Sequence, residues 1–96
     1  MPTYICLLRW TNKGLESIKD SPSRLEDARK VFRSAGATLR DFYMVTRQYD
    51  MVIVAEAPDD TAIAKAVLST AAKGAIQSET MRAFTESEYR SIVSGL

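Results

Sequence analysis

Short runs that are either apolar throughout or alternating are separated by segments in which apolar side chains recur at helical spacing. Tyr4–Trp10 (YICLLRW) is short, β-prone and apolar almost throughout, which predicts a strand buried on both faces. Thr11-Asn12 offers caps, and Leu15 and Ile18 follow at helical spacing. Ser21-Pro22 restarts the helix, with serine as cap and proline at the first helical position. Leu25, Ala28, Val31, Phe32 and Ala35 then form an apolar stripe, and Gly36 is a stop. The pattern predicts one interrupted helical segment from about Asn12 to Ala35. Thr38–Thr46 reads as the second strand, Gln48-Tyr49-Asp50 as a tight connection and Met51–Glu56 as the third strand. Asp59 or Asp60 caps a further helix with Ile63, Ala66, Val67 and Thr70 or Ala71 inward, ended by Gly74. Ile76–Phe84 alternates clearly as the fourth strand. Thr85–Glu88 fits a capping box, with Phe84 stapled to Tyr89, before a last helix that would bury Tyr89, Ile92 and Val93.

The order β-α-β-β-α-β plus a C-terminal helix predicts a single α+β domain over residues 1–96. Its expected form is a ferredoxin-like, four-stranded antiparallel sheet with helices on one face. Two helices cover only one face of such a sheet, so the other face should read polar if it met water. The expected central strands do not comply. Tyr4, Cys6, Leu8 and Trp10 alternate with Ile5 and Leu7, and Met51, Ile53 and Ala55 alternate with Val52 and Val54. An apolar patch of that size is uncommon on a soluble monomer. A second copy packed face to face, giving a dimer with a closed interior, is the expected remedy; cover by the C-terminal helix is the competing one.

Composition and charge narrow the function. The 96 residues are 46% hydrophobic and 26% charged, ordinary for a folded domain of one core. Thirteen basic residues against twelve acidic ones give no basic excess to suit nucleic acid. Cys6 is the one cysteine, so no internal disulfide or cysteine-based zinc site forms, and its apolar surroundings suit a buried small side chain. There is no histidine, which removes the commonest general base, the usual haem ligand and the Ser-His and Cys-His nucleophile pairs. No basic leader or spanning apolar run is visible, so a cytoplasmic location without membrane contact is expected. Gly-rich phosphate loops and metal-spaced ligand sets are missing too, so neither metal nor cofactor is expected.

The chemistry therefore falls to carboxylates, phenols and arginines. Tyr49 and Asp50 open the third strand and admit two readings. Asp50 either accepts backbone N–H groups in the turn while Tyr49 packs at the sheet rim, or the pair forms a phenol donor and a carboxylate base at a barrel mouth. Arg9 and Glu56 interrupt the central strands near their C-terminal ends; those strands are expected to be parallel neighbours, which would set the two side chains on one face as a structural lock or an anion clamp. Tyr4, Tyr43 and Trp10 could line a cavity between sheet and helices or between two sheets. Glu79 and Arg82 should point to opposite faces of the fourth strand. Arg24 reads as a solvated charge or one near the helix dipole.

Tyr49-Asp50-Met51 through Glu56-Ala57-Pro58-Asp59-Asp60 resembles the bacterial GYD domain family. Pro2-Thr3-Tyr4, Ile18-Lys19-Asp20-Ser21-Pro22 with Arg24, Asp41-Phe42-Tyr43, Ser78-Glu79-Thr80 and Arg82-Ala83-Phe84 agree with it over nearly the whole chain. Gln48 stands where the family has the first residue of Gly-Tyr-Asp. The resemblance implies a dimeric α+β barrel, an architecture that elsewhere hosts cofactor-free monooxygenases, isomerases, haem enzymes and effector-sensing domains. The leading expectation is a small homodimer or higher homo-oligomer binding an apolar or aromatic small molecule in a barrel-type cavity, with Tyr49, Asp50, Arg9 and Glu56 as its polar residues. The alternatives are a cofactor-free oxygenase or isomerase using Tyr49 and Asp50, and a structural or regulatory oligomerisation module.

Overall fold

A computed structural model describes all residues from Met1 to Leu96. Strands β1 (Thr3–Trp10), β2 (Thr38–Met44), β3 (Met51–Glu56) and β4 (Ile76–Ala83) form one sheet in the order β2-β3-β1-β4. Every neighbouring pair is antiparallel. Helices α1 (Asn12–Glu16) and α2 (Ser21–Ser34) lie between β1 and β2, joined by a 3-10 turn at Ile18–Asp20. Helix α3 (Asp60–Ala71) connects β3 to β4, and α4 (Glu86–Ser94) follows β4. This is the ferredoxin-like α+β arrangement expected from the alternation of periods.

The core lies between the sheet and helices α2 and α3. Tyr4, Cys6 and Leu8 of β1 and Met51, Ile53 and Ala55 of β3 are buried there against Phe32, Ile63 and Ala66. Their alternates Ile5, Leu7, Val52 and Val54 face the other way and stay half-buried, because no helix crosses that face. The Cα trace spans 49 × 31 × 16 Å, and the thin dimension is that of one sheet with one helical layer.

Local signals account for most element ends. Asp59 accepts the Ala62 N–H at 2.9 Å to start α3. Thr85 and Glu88 close a full capping box at the start of α4. The α2 start differs from expectation: Ser21 lies inside the helix, because the 3-10 turn already holds Asp20 in helical conformation and leads the chain in without a side-chain cap. Strand β2 stops at Met44 and β4 at Ala83, each short of the expected end.

The C-terminal helix departs further. Tyr89, Ile92 and Val93, expected to be buried, are 59%, 49% and 47% exposed, and α4 has no buried residue. It does not cover the open sheet face, and Phe84 sits beneath the Arg82 guanidinium (4.5 Å to the ring centroid) instead of forming an inward staple. The capping box fixes where this helix starts but supplies no apolar surface for its stripe.

One glycine is required by a close approach. Thr11 donates its backbone N–H to the Ala75 carbonyl at 3.0 Å and its hydroxyl to the Gly74 carbonyl at 2.6 Å, drawing α1 onto the α3–β4 turn. A Cβ at Gly14 would lie 2.2 Å from the Ala75 carbonyl oxygen, so only glycine permits the contact. Gly14→Ala is expected to cost roughly 1–3 kcal/mol through overpacking, read as a lower urea midpoint. An unchanged midpoint would show that α1 can lift away freely.

Candidate functional site

Asp50 ends the β2–β3 connection and extends the sheet ladder past Met51. Its backbone N–H donates to the Leu8 carbonyl at 2.9 Å, its carbonyl accepts the Val45 N–H at 2.8 Å, and its carboxylate accepts the Trp10 N–H at 3.0 Å. One residue thus joins the connection to β1 and closes it on itself. The carboxylate is tied to a backbone amide, as in the structural role expected, but the amide is that of Trp10 at the end of β1 and not one within the turn.

Tyr49 does something else. Its hydroxyl donates to a Glu79 carboxylate oxygen at 2.9 Å, and the Arg9 guanidinium lies 4.5 Å from its ring centroid. Arg9 also donates Nε–H to the Gln48 carbonyl. Since β1 lies between β3 and β4, Tyr49 bridges from the connection beside β3, across Arg9, to the outer strand. It therefore bounds one end of the open face. The positive φ in this connection falls on Arg47 (88°), one residue before the position where Gln48 replaces glycine, so Gln48 needs no glycine-like backbone.

The open face can be read row by row from the strand register. Asp41, Val54, Ile5 and Met81 form one row, and Tyr43, Val52, Leu7 and Glu79 the next. Thr38, Glu56, Thr3 and Ala83 close one end, while Arg9 and Gln77 lie toward the other. An apolar centre is thus framed by polar residues. Arg9 and Glu56 do not meet, because β1 and β3 are antiparallel and Thr3 is the residue opposite Glu56. The expected parallel pairing is corrected accordingly. Glu56 instead pairs with Arg40 at 3.2 Å, next to the bulge in β2.

Tyr4, Tyr43 and Trp10 do not share a cavity. Tyr43 is exposed on the open face, whereas Tyr4 is buried on the helix side, donating its hydroxyl to Asp60 at 2.6 Å. Trp10 lines a separate groove of about 380 Å³ between α2 and the sheet, with Leu8, Leu25, Phe42, Met51 and Ile76 among its walls. Arg24 is less free than expected: it donates to the carbonyls of Gly14 and Ser17 and braces the turn into α2. Glu79 and Arg82 do occupy opposite faces, as the alternation implies. The long-range partners Tyr49–Glu79 and Tyr4–Asp60 carried no sequence signal, because their registers depend on how β4 and α3 pack.

The electrostatics follow these contacts. The Glu79 carboxylate accepting its hydroxyl proton, aided by partial burial, raises the Tyr49 phenol above its usual range, against the opposing pull of Arg9. Asp60 and burial raise Tyr4 in the same way, and burial raises the Cys6 thiol despite a contact from the Thr80 hydroxyl. Both phenols therefore hold their protons at neutral pH and act as donors. No group of three or more potential metal ligands comes together, and no helix is long and apolar enough to cross a membrane.

The family model for the GYD domain matches residues 4–93. The chain belongs to the GYD domain family. Over 84 residues, 86% of this chain and 88% of the other, it is 33% identical to a Thermus thermophilus protein described as a glutamine synthetase and cystathionine beta-lyase binding protein. Among solved structures it resembles a feast or famine regulatory protein from M. tuberculosis complexed with L-methionine, with a TM-score of 0.67 and 10% identity. That match covers 88% of this chain and 51% of the other, so this chain spans about half the length of that regulator. A crystal structure from Thermus thermophilus matches at a TM-score of 0.56 and 20% identity, covering 88% and 95% of the two chains. These structural likenesses establish the fold.

Two measurements separate the roles of Tyr49 and Asp50. Asp50→Ala should cost about 1–3 kcal/mol in urea unfolding by leaving the Trp10 N–H without its acceptor, whereas Asp50→Asn, which keeps an acceptor, should cost less. No loss in Asp50→Ala would show that the amide contact contributes nothing. Tyr49 has a folded pKa above its unfolded value of about 10, so its stabilising contribution is complete below that pH and is lost as pH rises through the raised value. The ultraviolet difference titration between wild type and Tyr49→Phe should show this late ionisation, and Glu79→Gln should bring it back toward about 10. A normal Tyr49 titration in the wild type would remove the Glu79 bond.

Proposed function

We propose that this GYD domain is a non-covalent binding module that works as a homo-oligomer, with the open sheet face as the surface that joins two copies. The carrying observation is the apolar centre Ile5, Leu7, Val52 and Val54, which neither α2, α3 nor α4 covers. Two such sheets packed face to face bury these side chains at a spacing of about 10 Å. The frame around the centre supports this arrangement: Arg9 near one end and Asp41 and Glu56 toward the other allow opposite charges to meet when a twofold axis reverses the strand ends. A small apolar or aromatic molecule held between the sheets would meet Tyr43, Tyr49 and Arg9 as its polar and aromatic boundary.

A second reading concerns a protein partner. The Thermus relative, by its description, binds two enzymes, and its similarity extends over most of both chains. The exposed stripe of Tyr89, Ile92 and Val93 on α4 offers an outward surface for such docking. A catalytic reading is less well supported, because the carboxylate of Asp50, its proposed base, is engaged with the Trp10 amide.

Sedimentation velocity tests the assembly. The wild type should run as a dimer or larger at micromolar concentration, and Leu7→Glu should shift it to monomer with its helical circular dichroism retained. A wild type that stays monomeric and stable would overturn the reading. Co-sedimentation with purified glutamine synthetase tests the second reading, with Ile92→Glu expected to abolish any complex; a complex unaffected by that change would exclude α4 as the docking surface.

A further inference from the structure

The groove beside Trp10 lies on the side of the sheet opposite the proposed interface. Helix α2 and the turn before it rise over the Leu8–Trp10 end of β1, and α3 closes the far wall at Thr70. Its volume of about 380 Å³ falls within the range of small-molecule sites, roughly 300–1,000 Å³. Most of the lining is apolar, and Trp10 and Phe42 give it two aromatic walls. Ile18 and Met44, 38% and 68% exposed, flank it at the surface.

The charges at the rim are unequal. Arg24, Asp27 and Lys73 line the groove, two cations against one anion. Arg24 is engaged with the carbonyls of Gly14 and Ser17. Lys73 and Asp27 both take part in none of the chain's four ion pairs, and the carbonyl contacts of Arg24 leave its charge in place, so the rim keeps a net positive charge. A second ammonium stands close by, since Lys13 donates Nζ–H to the Lys73 carbonyl at 3.1 Å. An apolar groove with aromatic walls and an unpaired lysine on a net positive rim suits a flat hydrophobic body with one negative group.

We propose that the groove between α2 and the Leu8–Trp10 end of the sheet is a binding site for an aromatic-sized organic monoanion, with Lys73 as its charge partner. The apolar body supplies most of the affinity by leaving water, and the exposed lysine adds selectivity for the anion. This site is separate from the sheet-face interface and does not depend on the oligomeric reading.

Trp10 is the chain's one tryptophan, so its indole N–H resonance reports on the groove directly. Titration with 2-naphthoate should shift that resonance saturably, and the neutral 2-naphthylmethanol should bind more weakly. Lys73→Glu should weaken naphthoate by about fivefold while leaving the neutral compound unchanged. Ala28→Leu fills the groove from α2 and should abolish both shifts; Thr70→Leu does the same from α3 if the first variant fails to fold. Leu7→Glu, on the other sheet face, should leave naphthoate binding intact even where it disrupts the oligomer. No Trp10 shift up to millimolar naphthoate, or a shift that survives both filling variants, overturns the proposal. So does a Trp10 resonance that moves on protein dilution alone, which would make the groove a contact with a second copy.

Discussion

Two helices can shield only one face of a four-stranded sheet, and most features of this GYD domain follow from that limit. On the shielded face Tyr4, Cys6 and Leu8 interlock with Phe32, Ile63 and Ala66 and hold the single core. On the other, Ile5, Leu7, Val52 and Val54 are flanked by strands and left uncapped. The 16 Å thickness expresses the same asymmetry. Alternation along β1 and β3 makes the two faces inseparable: a residue added to either strand would exchange core and surface throughout it.

The segment that names the family mediates between these faces. Asp50 serves the backbone, continuing the β1 ladder with its amide and its carboxylate. Tyr49 serves the surface, spanning Arg9 to reach Glu79 and bounding one end of the apolar centre. A tyrosine and an aspartate side by side thus do unlike work, one directed across the open face and one into the chain. Glycine is dispensable at Gln48 here because the unusual backbone sits at Arg47, and Gln48, Tyr49 and Asp50 all keep negative φ.

The polar groups first considered for chemistry are largely engaged within the molecule. Asp50 holds an amide, Glu56 holds Arg40, Tyr4 holds Asp60 and Tyr49 holds Glu79. The phenols are driven toward retaining their protons, which makes them donors and not bases at neutral pH. What is left open is apolar surface in separate places: the sheet face, the α4 stripe and the groove beside Trp10. That distribution is what the proposed binding role rests on.

The residue pattern by itself determined the order of elements, the inward stripes of α2 and α3, the capping box at Thr85–Glu88 and the doubly apolar character of β1 and β3, because each is a property of neighbours along the chain. Pairing direction and distance across the chain were another matter. Antiparallel register separated Arg9 from Glu56, docking of β4 brought Glu79 under Tyr49, and the exit of α4 left Tyr89, Ile92 and Val93 in solvent although their spacing resembled that of a buried helix. Periodicity states which residues share a face, while only tertiary packing decides what that face meets. For the apolar groove beside Trp10 the same holds, since its walls come from β1, β2, β3, β4, α2 and α3 and no local stretch encodes the space between them.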